Sequence, residues 1–185
     1  MSIEDRTRWD AVFRKSARTT FPAPDPFLLQ FMPPPTHPEA RALDLCAGVG
    51  QNGLWLAEQG YATDLIDISR VALQRARTEA TSRNLRNVNI FQQDVDDLLL
   101  NTRYYDVVCV FRYLKRELFP MLCDSVTHGG RVVYETFNLR YLKVVEGFNP
   151  NFLLDVGELP HYFPDWHILH LDESDYRSRL VAVKP

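Results

Sequence analysis

The sequence predicts an α/β fold, a mostly parallel sheet of seven strands with helices on both faces. Two observations carry this. Short apolar runs alternate with helical patterns from residue 42 onward, as βαβ units do. The first run, Ala42-Leu43-Asp44-Leu45, passes into the small residues Cys46-Ala47-Gly48-Val49-Gly50 and then into a helical stretch. Strand, tight glycine turn and helix in that order aim free helix N–H groups at a bound ligand's negative end. The place is the carboxyl edge of a sheet, where open α/β folds bind ligands.

Taken in order, residues 3–16 read as a helix with Trp9, Val12 and Phe13 clustered on one face. Seven prolines between Phe21 and Pro38 make a strap there, with room for a short helix over 27–32. After the strand at 42–45, Gly53, Leu54 and Ala57 share one helix face, and Gly60 stands where a helix ends. A strand over 62–67 leads to a helix from Ser69 to Arg83, with Ala72, Ala76 and Ala80 at four-residue spacing.

Strands follow at 88–94 and 106–111, the second apolar enough to be central. Pro120 interrupts a helical pattern over 115–127, so that helix begins late or kinks, and Gly129-Gly130 end it. A strand at 131–135 precedes a loop over 139–157 with no strong period, read as a wall around a pocket. A short helix at 157–163 stops at Pro164, and strands at 166–171 and 179–183 form a terminal hairpin.

At 185 residues the chain fits one domain, with 1–38 as helix and strap and 39–185 as core. Such a chain buries roughly 70% of its extended surface, enough for one core. A net charge of −3 gives no general attraction to nucleic acid or to anionic membranes. Cys46, Cys109 and Cys123 form no C-x-x-C pair, and no apolar run reaches membrane-spanning length. A reduced, soluble, cytoplasmic protein is expected.

Two ligand classes compete for the glycine turn. Gly48-Val-Gly50-Gln-Asn-Gly53 satisfies G-x-G-x-x-G, and Asp67 follows Gly48 by 19 residues, as a dinucleotide fold asks. Against this stands Asp44, whose carboxylate repels a diphosphate and suits a cationic ligand. S-adenosylmethionine (SAM) carries an ammonium and a sulfonium, and its own carboxylate suits the helix N–H groups. The charge pattern favours SAM.

The run Asp44 to Gly50 resembles the first motif of class I SAM-dependent methyltransferases, D/E-x-G-x-G-x-G, with Cys46 in the first glycine position. Trp9-Asp-Ala-Val-Phe-Arg14, Asp67-Ile-Ser69, Phe111-Arg-Tyr-Leu114, Leu118-Phe-Pro120, Tyr134-Glu-Thr-Phe137 and 149–159 occur with it. Together they resemble small bacterial tellurite-resistance-like methyltransferases, relatives of thiopurine S-methyltransferase. The resemblance implies a Rossmann-like seven-stranded sheet whose last strand is antiparallel.

It also implies cofactor contacts from Asp44, Cys46, Ala47, Gly48, Gly50, Asn52, Asp67, Ile68, Asp94, Val95, Phe111 and Trp9. Asp67 takes the ribose hydroxyls in this reading, although it also reads as a helix cap, a task Ser69 performs equally well. Asp94 meets the adenine amino group and Val95 lies along the ring, while the N-terminal segment closes over the cofactor.

Arg112 and Tyr113 fall on the acceptor side, and Arg112, Lys115 and Arg116 together suit steering of an anionic acceptor or, more plainly, an exposed helix start. The Asn/Asp-Pro-Pro-Tyr/Phe pattern of amino methyltransferases is missing there, which disfavours nucleic-acid bases. No catalytic residue is assigned and no metal is expected. The acids Asp94, Asp96 and Asp97 read as a solvated turn, and His167 and His170 face opposite sides of a strand.

The expectation is a SAM-dependent methyltransferase acting on a small molecule such as a thiol or chalcogen oxyanion. Its rivals are an RNA or protein methyltransferase and a non-catalytic SAM- or NAD-binding protein.

Overall fold

The computed structural model describes residues 3–15 and 20–185. They form two compact units, Met1–Leu99 and Leu100–Pro185. The expected helix end at residue 16 lies outside the described residues.

The first unit runs α1 (Ile3–Lys15), α2 (Pro26–Phe31), β1 (Arg41–Leu45), α3 (Gln51–Glu58), β2 (Ala62–Asp67), α4 (Arg70–Ser82) and β3 (Val88–Gln92). β2 pairs in parallel with both β1 and β3. Asp25 caps α2 by accepting the Phe27 N–H, and Pro26 takes the first helical turn, where a missing N–H costs nothing. Leu54 of α3, Leu65 of β2 and Ala76 and Ala80 of α4 form one buried cluster with Ala47. The alanine row keeps α4 thin, so both leucines are fully buried. Each such leucine contributes about 1.5–3 kcal/mol. In α1 the expected apolar face is only partly realised: Trp9 and Phe13 pair with ring centroids 6.0 Å apart, while Val12 is 46% exposed.

The second unit runs β4 (Tyr105–Phe111), α5 (Phe119–Ser125), β5 (Val126–Phe137), β6 (His167–Asp172) and β7 (Arg177–Val183). Single-turn 3-10 helices interrupt the connections, among them Leu139–Lys143, Pro150–Phe152 and Leu159–Tyr162. The helix expected at 115–127 begins at Phe119, with Pro120 in its first turn. The expectation that Gly129-Gly130 end that helix is overturned, because both lie inside β5. They form an irregular stretch that pairs with the chain end, the Gly129 N–H donating to Lys184 O and the Lys184 N–H to Gly130 O, each at 2.9 Å.

β5 pairs in parallel with β4 and antiparallel with β7, and β7 is also antiparallel to β6. A second expectation fails at this hairpin. A bulge between Ile168 and His170 sets His167 opposite Val183 and His170 opposite Val181, so the two histidines share a face. Among the described residues they still belong to no metal-ligating group of three or more.

The strands run in the order β3-β2-β1-β4-β5-β7-β6 in a seven-stranded, mostly parallel, Rossmann-like sheet. No helix of the described residues is long and apolar enough to cross a membrane.

Candidate functional site

β1 leaves the sheet through a turn in which every second residue is left-handed: Cys46 at φ 57°, Gly48 at 57° and Gly50 at 80°. Cys46 therefore adopts the conformation that the first glycine of the motif would, at a cost of about 1–2 kcal/mol for a residue with a Cβ. Backbone approach is close here. A Cβ on Gly50 would lie 2.3 Å from Leu65 Cδ2, and one on Gly53 would lie 2.9 Å from Asp44 Cβ.

Asp44 is 2% exposed and its Oδ2 accepts the Gly53 N–H at 2.8 Å. Gly50, the residue before α3, has no side chain to cap that helix, so Asp44 supplies the negative charge at its first turn. Asn52 is buried, and its Oδ1 accepts the Asp25 N–H at 2.8 Å, tying the proline strap to the same turn.

Asp67 ends β2 and is 8% exposed. Its Oδ2 accepts the Gly48 N–H and its Oδ1 the Ser69 N–H, both at 2.8 Å. Burial pushes this carboxyl up against the opposing pull of those N–H groups, and the net direction is upward. The capping alternative for Asp67 goes instead to Ser69, whose hydroxyl accepts the Ala72 N–H. Ile68 and Val95 are buried beside these positions in sequence, and Asp94 caps its own turn through the Asp96 N–H at 3.0 Å. The Gln93 N–H donates to Asp67 O at 3.1 Å, so the ends of β2 and β3 are held together.

The Cys46 thiol reads out the charge of the turn. Burial pushes it well up, and Asp67, Asp44 and Asp94 push it further the same way. Half-buried, the thiol is biased by these charges toward its protonated, less reactive form.

Helix α1 docks on this turn. The Asp10 carboxylate accepts the Ser69 hydroxyl at 2.6 Å and the Val71 N–H at 3.2 Å. A Cβ on Gly48 would lie 3.1 Å from the Phe13 ring. Trp9, half-buried, lies on the same helix under the Arg8 guanidinium. The sequence pattern does not single out Asp10, because nothing in the spacing pairs it with a residue 59 positions away.

In the second unit Phe111 ends β4 buried, and Arg112 follows at φ 57° with its N–H on Glu135 O at 2.7 Å. The Glu135 carboxylate, 1% exposed, organises three guanidinium groups: Arg179 Nε at 2.8 Å, Arg177 Nη1 at 3.6 Å and Arg112 Nε at 4.0 Å. Arg112 remains 51% exposed. Tyr113 is held through its carbonyl, which accepts the Tyr134 hydroxyl at 2.8 Å. The steering role considered for Arg116 is not what its geometry serves. It clamps Glu158 through Nε at 2.6 Å and donates to the Leu153 carbonyl at 3.0 Å, which pins the 151–158 loop.

Residues 42–130 match a protein family described as "Methyltransferase domain". Three solved structures are similar in fold. A SAM-dependent methyltransferase from Mesorhizobium loti is 18% identical over 86% of this chain and 96% of its own, with a TM-score of 0.69. TehB from Haemophilus influenzae is 17% identical over 92% of this chain and 65% of its own, with a TM-score of 0.76. A protein described for the conversion of a disulfide bond into a thioacetal group during echinomycin biosynthesis is 20% identical over 97% and 92%, with a TM-score of 0.72. No curated protein matches the sequence. Residues 42–130 are thus similar to a methyltransferase domain, on a fold shared with SAM-dependent methyltransferases, and these likenesses support an enzyme with SAM as its cofactor.

Proposed function

We propose that this enzyme transfers a methyl group from SAM to a small-molecule acceptor with a soft nucleophile, a thiol or a chalcogen oxyanion. The carrying observation is electrostatic. Three carboxylates, Asp44, Asp67 and Asp94, act together on the glycine turn at Cys46. That field opposes a diphosphate and favours a ligand with cationic groups, which weighs against a nicotinamide dinucleotide.

The residues fit SAM in further respects. Each Asp67 oxygen accepts one backbone N–H and keeps acceptor capacity for a ribose hydroxyl. Within the first unit, Asp44, Cys46, Ala47, Gly48, Gly50 and Asn52 would take the methionine side, and Ile68, Asp94 and Val95 the adenosine, with Trp9 in the covering helix. When bound, SAM supplies an activated methyl for in-line displacement by a lone pair. The chain's part is then alignment and exclusion of water. A soft acceptor needs no dedicated base, and none is assigned.

On the acceptor side, Arg112 and Tyr113 are the residues we assign. Arg112 Nε lies 4.0 Å from Glu135 Oε1 while half of the Arg112 side chain faces solvent, which suits attraction of an anionic acceptor. The echinomycin-pathway neighbour, described for chemistry on a disulfide, supports sulfur as a reacting atom in this fold. Kinship with the tellurite-resistance-like group is part of the same proposal, supported by the fold likeness to TehB.

Calorimetry with SAM, S-adenosylhomocysteine and NAD(H) tests the cofactor, and a panel of thiols and chalcogen oxyanions tests the acceptor. Asp67→Ala should weaken SAM binding at least about tenfold, as loss of hydrogen bonds to a charged group does. Unchanged affinity removes the ribose assignment. Flat S-adenosylhomocysteine formation across the panel removes the small-molecule reading.

A further inference from the structure

Two contacts by which α1 meets its unit fall on the two residues whose N–H groups donate to Asp67. Asp10 takes the Ser69 hydroxyl at 2.6 Å, and Ser69 gives its N–H to Asp67 Oδ1 at 2.8 Å. Phe13 covers Gly48, and Gly48 gives its N–H to Asp67 Oδ2 at 2.8 Å. Much of the rest of α1 is solvated: Arg8 and Arg14 are 58% and 64% exposed, and their acid partners lie on the same helix.

We propose that Asp10 is a positioning residue for the cofactor, acting through Ser69 so that docking of α1 and occupancy of the Asp67 carboxylate reinforce each other. The proposal rests on the reading above that Asp67 receives the cofactor's hydroxyls. A carboxylate held at both oxygens cannot rotate, so fixing Ser69 and Gly48 fixes the direction in which Asp67 offers its remaining lone pairs. Docking of α1 presses on both anchors at once. By linkage, if docked α1 favours the ligand, the ligand favours docked α1 by the same factor.

The like charges of Asp10 and Asp67 oppose docking, and their repulsion contributes to the raised Asp67 carboxyl. Hydroxyl donors on Asp67 offset that repulsion, which makes the latch tighter when the site is filled. A capping role alone would read differently. Asp10 also accepts the Val71 N–H at 3.2 Å in the first turn of α4, and a mere cap stabilises the fold equally with and without ligand.

The test uses the full chain with S-adenosylhomocysteine as probe. Amide exchange of residues 3–15 should slow about tenfold on binding, a size typical of coupled sites. Asp10→Ala should abolish that protection and speed dissociation of the probe about tenfold, with little change in its association rate. Asp10→Asn, whose amide oxygen still accepts both bonds, should restore most of the slow dissociation. The proposal is overturned if exchange in α1 ignores the probe, or if Asp10→Ala lowers thermal stability but leaves dissociation unchanged. A wild-type chain that fails to bind the probe at all overturns the cofactor reading as well, whereas binding without protection of α1 overturns the Asp10 role alone.

Discussion

Arg116 and Glu158, 42 positions apart, form a two-point ion pair with Nε–Oε1 at 2.6 Å and Nη2–Oε2 at 2.8 Å. The Tyr162 hydroxyl and the Asp155 N–H complete the acceptor positions of the same carboxylate. Arg116 is 38% exposed, so solvent screens part of the attraction. Arg116→Ala should therefore cost about 1–2 kcal/mol, the range of hydrogen bonds to charged groups after that discount. Urea unfolding with an unchanged slope and a lower midpoint is the expected result.

The acid limb of stability should carry the Glu158 signature. Burial would raise this carboxyl, but the Arg116, Tyr162 and Asp155 bonds outweigh it and hold it at about 2 against an ordinary 4.5. A folded-state value below the unfolded one means the folded chain binds fewer protons, so the contribution is complete above 4.5 and fades as pH falls toward about 2. Glu158→Gln should flatten the fall of the unfolding midpoint across that window. A residual slope should persist, because hydrogen bonds lower Asp172, and hydrogen bonds that outweigh burial lower Asp10 and Asp175.

Gly50→Ala should be severely destabilising. Its Cβ would sit 2.3 Å from Leu65 Cδ2 at a φ of 80°, so overpacking and left-handed strain add to about 2–5 kcal/mol. Combined with Leu65→Ala, which removes the clashing methyl, the two losses should fall short of additive by about 1–2 kcal/mol in a double-mutant cycle.

Cys46→Gly should not harm folding and should stabilise by up to about 1 kcal/mol, because relief of the left-handed strain exceeds the entropy that glycine adds. In the native chain, alkylation of Cys46 should be much slower than that of a free thiol near pH 8, since the half-buried thiol is pushed up by desolvation and by three carboxylates. Fast labelling at that residue, read by peptide mass analysis, would contradict the electronegative turn on which the SAM reading depends.

From the sequence alone the order of strands and helices is legible, along with the turn after β1, while the cap of α4 is narrowed to Asp67 or Ser69 and settled on Ser69 by the structure. Each of these is written in neighbouring residues: an apolar run, a glycine within a few positions, an alanine every fourth place. The tertiary structure decided what depends on distant pairs. It put Asp10 on Ser69, gave Asp44 the first turn of α3, committed Arg116 to Glu158 and set His167 and His170 on one face through a bulge. It also carried β5 through Gly129 and Gly130, because the chain end at Lys184 pairs with them. Local pattern encodes which backbone shape a segment prefers. Which charge meets which is set only when burial forces each carboxylate to find its donors, and those donors come from whatever the fold brings near.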